Sequence, residues 1–210
     1  MKQQTSRPGV SGWDVPRETE LRLREYLALL RRWNAKINLV GGQEESVLWQ
    51  RHVLDSIQLA PLTRVAGSGP LLDLGSGAGF PGLVLALATG RETHLVEADR
   101  RKATFLREAA HSLGLVRTVV HPTRIEHAMV PPAAIVTARA LAPLPVLLRH
   151  AHRVLAPDGL ALFPKGRTAE DELTAALRDW TMSVERFPSR TEPAATILRL
   201  REIRPASAQA

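Results

Sequence analysis

The sequence predicts an α/β fold: a mostly parallel seven-stranded sheet with an antiparallel C-terminal strand, plus an N-terminal helical cap. Three observations predict it. From Pro70 to Trp180 short apolar runs alternate with helical patterns, as parallel strands joined by crossover helices require. The run Leu71–Leu74 passes directly into a glycine-rich turn and then into a helical pattern. Met182–Phe187 and Ala195–Arg201 follow one another across a turn holding Pro188 and Pro193, so they pair antiparallel at a sheet edge.

The elements follow in chain order. Residues 1–16, with two prolines and two glycines, read as a flexible leader. A helix begins at Pro16, because Leu23, Tyr26, Leu27, Leu30, Trp33 and Ile37 recur at helical spacing. Asn34–Gly42 breaks it, and a second helix runs from Glu45 to Leu59, its apolar positions being Val47, Leu48, Val53, Leu54 and Ile57. These helices form the cap, residues 17–68. The main domain, residues 69–204, holds strands at Leu71–Leu74, Thr93–Glu97, Arg117–His121, Ala134–Ala138 and Gly159–Pro164. Its helices fall at Gly82–Ala88, Arg100–Leu113, Pro143–Leu155 and Ala169–Trp180. Residues 205–210 read as a tail.

Composition narrows the function. The 210 residues are enough for one packed domain and an appendage. No cysteine is present, which excludes disulfides and thiolate metal sites. The seven histidines form no H-x-x-x-H or H-E-x-x-H cluster, so no metal is expected. The first residues carry no apolar run and the longest apolar stretch lies near Gly82–Thr89, far short of the roughly 20 residues that span a bilayer. A cytoplasmic protein with no membrane contact is expected, acting as a monomer. The net charge of +7 comes mostly from arginine and suits a polyanionic partner such as nucleic acid, or equally reflects general solubility.

The glycine spacing carries most of the chemistry. Gly75, Gly77 and Gly79 give G-x-G-x-G, whereas the dinucleotide fingerprint G-x-G-x-x-G would need a glycine where Phe80 stands. That points away from NAD and towards S-adenosylmethionine. Glu97 ends the next strand about twenty residues on, where an acid accepts ribose hydroxyls; the alternative is a surface carboxylate paired with Arg100 or Arg101. Beyond the third strand, Ile125 beside Glu126 suits an adenine, although Glu126 reads equally well as a solvated carboxylate. The fourth strand ends at Arg139 without the Asn/Asp-Pro-Pro-aromatic stretch that accepts an amine's hydrogens. An arginine there favours a nucleophile that needs no deprotonation, such as guanine N7, unless it serves a structural salt bridge. Arg51-His52-Val-Leu-Asp55-Ser56 sets His52, Asp55 and Ser56 on one helix face, where an Arg51–Asp55 i,i+4 pair is the simplest expectation. Lys165 and Arg167 offer two cations at the cleft mouth.

In order along the chain, Asn38-Leu39, Arg51-His52-Val-Leu-Asp55-Ser56, Asp73-Leu-Gly-Ser-Gly-Ala-Gly-Phe-Pro-Gly82, Glu97 with Arg101-Lys102, Arg124-Ile-Glu126, Arg139-Ala and Lys165-Gly166 resemble the ribosomal RNA small subunit methyltransferase G family, also called glucose-inhibited division protein B. The resemblance implies a Rossmann-like S-adenosylmethionine-dependent methyltransferase fold. It implies methyl transfer from S-adenosylmethionine to N7 of one guanine in the decoding-region loop of bacterial 16S rRNA, naked or within the small ribosomal subunit. Gly75, Gly77, Gly79, Phe80, Glu97, Ile125, Glu126 and Arg139 are then the candidate cofactor contacts. Arg139 and Lys165 are the candidate catalytic residues, and His52, Arg124, Lys165 and Arg167 the candidate RNA contacts. Two departures stand out: Val40-Gly41-Gly42 replaces the family's Thr-Ala-Ile continuation, and Leu-Phe-Pro precedes Lys165 in place of Leu-Met. The competing readings are a methyltransferase for another RNA or a small molecule, and a non-catalytic RNA-binding module with a vestigial pocket.

Overall fold

The computed structural model describes residue 13, residues 15–42 and residues 44–206. Most of the expected leader, and residues 207–210 of the expected tail, lie outside that set. Helix α1 (Arg17–Ile37) buries Leu23, Tyr26, Leu27 and Leu30 on one face, with Glu18 and Glu20 in its first turn and Lys36 in its last, the charge order that the helix dipole favours. Asn34 does not break the helix. Its side-chain oxygen accepts the Leu39 and Val40 amides at 2.5 and 2.9 Å, and Asn38 ends the helix in the left-handed region at φ 50°. The asparagine folds the chain back after the helix.

The second helical stretch is irregular where the sequence predicts one helix. It comprises α2 (Glu45–Leu48), a π-helical turn (Trp49–Leu54) and α3 (Asp55–Ile57), followed by a 3-10 turn at Ala60–Val65. The alternating core then gives β1 (Leu71–Leu74), α4 (Gly82–Thr89), β2 (Thr93–Val96), α5 (Arg100–Ser112), β3 (Thr118–His121), β4 (Ala133–Ala138), α6 (Leu144–Val154), β5 (Leu155–Lys165), α7 (Ala169–Ala176), β6 (Trp180–Pro188) and β7 (Thr196–Pro205).

The sheet order is β3-β2-β1-β4-β5-β7-β6. Strands β1 to β5 are parallel, and β7 runs antiparallel between β5 and β6. The hairpin is therefore not wholly at the edge. Ile197, Leu198 and Leu200 of β7 are buried, whereas exposed residues alternate along β6, as on an edge strand. The tail begins later than expected, since β7 includes Pro205 and the Ala206 amide donates to the Asp179 carbonyl at 2.8 Å.

Strand order reverses between β1 and β4. The chain leaves β1 in one direction and β4 in the other, which opens a crevice beyond their carboxyl ends. On one face α4, apolar all round, lies between the sheet and the cap. Tyr26, Leu27 and Leu30 of α1 share a core cluster there with Phe80, Leu83 and Phe105. On the other face α6 and α7 cover Leu72, Leu74, Val96 and Val136. The cap's apolar face is thus packed directly over the glycine turn.

Candidate active site

The chain leaves β1 through Gly75, Gly77 and Gly79, at φ +63°, +54° and +90°, a region that side-chain-bearing residues occupy only with strain. Gly77 and Gly79 do different jobs. A Cβ at Gly77 would meet only the Gly75 carbonyl oxygen, at 3.8 Å, so this position faces open space. A Cβ at Gly79 would lie 2.5 Å from Leu83 Cδ1 and 2.9 Å from the Tyr26 hydroxyl. Gly79 therefore makes room for the cap, and it is absent from the cavity wall to which the cofactor reading assigned it. The Tyr26 hydroxyl donates to the Ala78 carbonyl, and its ring lies 5.3 Å from that of Phe80.

Glu97, just after β2, is buried and turned toward this loop. Its Oε2 accepts the Gly77 amide at 2.7 Å and its Oε1 accepts the Asp99 amide at 2.8 Å. The surface pair with Arg100 or Arg101 does not form; Asp99 instead caps α5 by accepting the Arg101 and Lys102 amides. A cavity of about 490 Å³ opens above the turn, lined among others by Gly75, Gly77, Phe80, Glu97, Arg124, Ile125, Glu126 and Arg139. Its volume falls within the range of small-ligand sites.

Under the turn, Asp73 is fully buried and accepts the Thr137 hydroxyl at 2.7 Å. Burial pushes its pKa up to about 6, against the pull of hydrogen bonds and of Arg139. Because the folded value lies above the unfolded one, stability is highest while the group is protonated and falls as pH rises from about 4 through 6. Asparagine does not titrate. Wild type is therefore expected to lose up to about 3 kcal/mol relative to Asp73→Asn between pH 4 and pH 7.5. Urea melts of both proteins at the two pH values measure this, and a difference that does not vary with pH would contradict it.

Arg139 follows β4 and is held from three sides. Nη1 donates to Asp55 Oδ2 at 3.1 Å and to the Arg51 carbonyl at 3.0 Å, and Nη2 lies 2.8 Å from His52 Nδ1. Its guanidinium also sits 5.4 Å from the Phe80 ring centre. The simple Arg51–Asp55 pair is therefore replaced by a long-range one. His52 stacks on Phe80 with ring centres 5.1 Å apart. Burial, then the charges of Arg139 and Arg51, lower its pKa to about 4. At neutral pH it is uncharged and accepts from Arg139 at Nδ1, so its proton is on Nε2. As a cation for RNA it does not serve.

Lys165 also departs from expectation. Its Nζ pairs with Glu172 at 2.6 Å and donates to the Ala142 carbonyl at 3.0 Å, while Glu172 accepts the Leu144 amide at 2.7 Å. The lysine braces the loop between β4 and α6 and is absent from the cavity wall, as is the exposed Arg167. Arg124 is exposed at the cavity wall, and Ile125 with Glu126 forms the 3-10 turn Ile125–His127 beside it. The Glu126 carboxylate is exposed and 3.8 Å from His150 Nε2. Two contributors had no clear sequence signal: the Tyr26 hydroxyl, hidden in a helical stripe, and Thr123, a loop residue on the cavity wall. Among the described residues no three His, Asp or Glu side chains are grouped to hold a metal, and no helix is long and apolar enough to cross a membrane.

Comparison with known proteins bears on the family and the fold. The chain is 55% identical over 193 residues to a ribosomal RNA small subunit methyltransferase G of Granulibacter bethesdensis, covering 92% of this chain and 90% of that protein. It is also 55% identical over 199 residues to the protein of the same name from Rhodospirillum centenum, covering 95% and 91%. Among solved structures, an O-methyltransferase from Bacillus cereus in complex with SAH superposes with a TM-score of 0.57 at 13% identity, covering 85% of this chain and 91% of that one. At that identity the likeness speaks for the fold alone, which is the Rossmann-like fold of S-adenosylmethionine-dependent methyltransferases. The profile of the GidB family, rRNA small subunit methyltransferase G, matches residues 19–197, and the chain belongs to that family.

Proposed function

We propose that this protein transfers a methyl group from S-adenosylmethionine to N7 of a guanine in the decoding-region loop of bacterial 16S rRNA. The carrying observation is the convergence of the Gly77 amide, Glu97 and Arg139 on one cavity at the strand-order switch point, in a chain of the rRNA small subunit methyltransferase G family. The residues suit the cofactor. Glu97 presents a carboxylate for ribose hydroxyls, and Gly77 allows close backbone approach. Ile125 and Glu126 flank the position for an adenine, with Gly75 and Phe80 completing the wall. When bound, S-adenosylmethionine supplies a methyl group on a sulfonium.

The protein's own part is orientation. Guanine N7 carries an in-plane lone pair, so attack needs no proton removed. Consistent with this, the His52 and Asp55 acceptors next to Arg139 are taken up by its guanidinium rather than offered to a substrate proton. Catalysis then rests on holding N7, the methyl carbon and sulfur in line. Arg139 supplies the fixed positive charge at the cavity wall, suited to a carboxylate of the cofactor or to guanine O6. Arg124 and Arg167 are the exposed cations for the RNA backbone, while Lys165 and His52 support the site from within.

The test is mapping of N7-methylguanine by borohydride and aniline cleavage of 16S rRNA, with and without the protein. One new cleavage site in the decoding-region loop is expected, and no new site would refute the proposal. Arg139→Ala is expected to lower methylation at least 100-fold and, because it leaves the mostly buried Asp55 without its cation, to melt several degrees or more below wild type; circular dichroism at the assay temperature checks that the variant is folded. RNA binding is expected to weaken steeply with salt through phosphate contacts. Methylation of a small molecule, insensitive to salt, would favour the alternative substrate class.

A further inference from the structure

The Arg51-His52-Val-Leu-Asp55-Ser56 segment leaves a question that a salt bridge alone does not answer. Its helix is irregular there, with the π-helical turn covering Trp49–Leu54, and such turns concentrate at functional sites because they redirect side chains and main-chain groups. Here a carbonyl and a ring nitrogen of the turn, together with Asp55 just after it, all point at one guanidinium. The Arg51 carbonyl and Asp55 Oδ2 accept from Nη1 of Arg139, and His52 Nδ1 accepts from Nη2.

An arginine has five N–H donors, and these three contacts leave one Nη2 hydrogen and the Nε hydrogen. Arg139 lines the cavity. Asp55 is itself fixed, since its Oδ1 accepts the Thr191 hydroxyl at 2.8 Å and Gln58 Nε2 at 2.9 Å. The pair is mostly buried on both sides, with side-chain exposures of 19% and 18%, so it is screened less than a surface pair.

We infer that Asp55 is a positioning residue that acts through Arg139: with the Arg51 carbonyl and His52 Nδ1 it locks the guanidinium so that its two remaining donors serve the cavity. The inference rests on the methyl-transfer reading for its effect on rate, and on the geometry alone for the lock. His52 reports on the lock. The charged and titratable groups facing its ring are Arg51 and Asp55 on its own helical stretch and Arg139 beyond β4; Phe80 covers one ring face, and Tyr26 of α1 packs on Phe80.

Two measurements test it. The first is a double-mutant cycle on kcat/KM for rRNA methylation. Asp55→Ala is expected to lose at least tenfold alone and less than about twofold in the Arg139→Ala background. Losses that multiply would assign Asp55 a merely structural part and overturn the inference. The second is a ¹⁵N titration of His52 in the free protein. Removing the Asp55 charge by itself would push the His52 pKa further down. Release of the guanidinium pushes it up, so a rise from about 4 toward the ordinary histidine value in Asp55→Ala is the expected result. An unchanged or lower value would overturn the lock. Should Asp55→Ala fail to fold, Asp55→Ser, which also removes the carboxylate and is too short to hold the guanidinium in the same way, is used and the same two outcomes decide. If wild type methylates no rRNA, the functional reading falls, while the titration still decides whether the lock exists.

Discussion

Gly77→Arg is expected to fold, to melt only a few degrees below wild type, and to bind no S-adenosylmethionine. The argument is local. Gly77 has φ +54° and faces open space at the cavity, with nothing but the Gly75 carbonyl near the point where a Cβ would stand. A side chain at that backbone conformation costs about 1–2 kcal/mol, which a chain of this size registers as roughly 2–8 °C in melting temperature. An arginine, however, would extend into the space above the turn and offer its charge to Glu97, the carboxylate proposed to meet the ribose. Calorimetric titration with S-adenosylmethionine reads the result. Binding at wild-type affinity would place the methyl donor elsewhere. Gly77→Ala should weaken binding much less, because it adds the strain without filling the cavity.

Tyr26→Ala is expected to cost about 3–5 kcal/mol, the usual range for emptying a buried aromatic site, or roughly 6–20 °C in melting temperature. Tyr26 is completely buried between Phe80 and Phe105, and its hydroxyl donates to the Ala78 carbonyl within the glycine turn. The same contact makes a second prediction. Because a residue of the cap holds a carbonyl of the glycine turn, the milder Tyr26→Phe should destabilise by about 1–3 kcal/mol and also, on the cofactor site proposed above, weaken S-adenosylmethionine binding. Thermal melts and titration measure both. If the cap were an independent unit, Tyr26→Phe would leave cofactor affinity unchanged.

Much of the fold is legible in the sequence because parallel strands buried on both faces read as continuous apolar runs. Leu71–Leu74 and Ala133–Ala138 are such runs but for one polar residue each, Asp73 and Thr137, and each is buried along its whole length. The β6–β7 hairpin was legible as a pair, but its placement was not. Whether a C-terminal strand lies at an edge or inside depends on which neighbour it meets, and β7 meets β5 through residues from Leu160 to Lys165. The π-helical turn was hidden as well, since the apolar spacing of Val47 to Ile57 is also that of a regular helix.

The site divides in the same way. The G-x-G-x-G turn and Glu97 are read directly because their chemistry is local: a strand end, a turn, and an acid at the end of the neighbouring strand. The sequence by itself thus determined the fold class, the family and the glycine turn. Only the tertiary structure decided what the charged and polar side chains do. Lys165 serves Glu172 and the Ala142 carbonyl, Asp55 serves Arg139 rather than Arg51, and Gly79 makes way for Tyr26 and Leu83. The physical reason is range. Backbone conformation and apolar burial are set by residues close in the chain or by periodic pattern. An ion pair or hydrogen bond goes to whichever partner folding brings within about 3 Å, and here those partners lie many residues away.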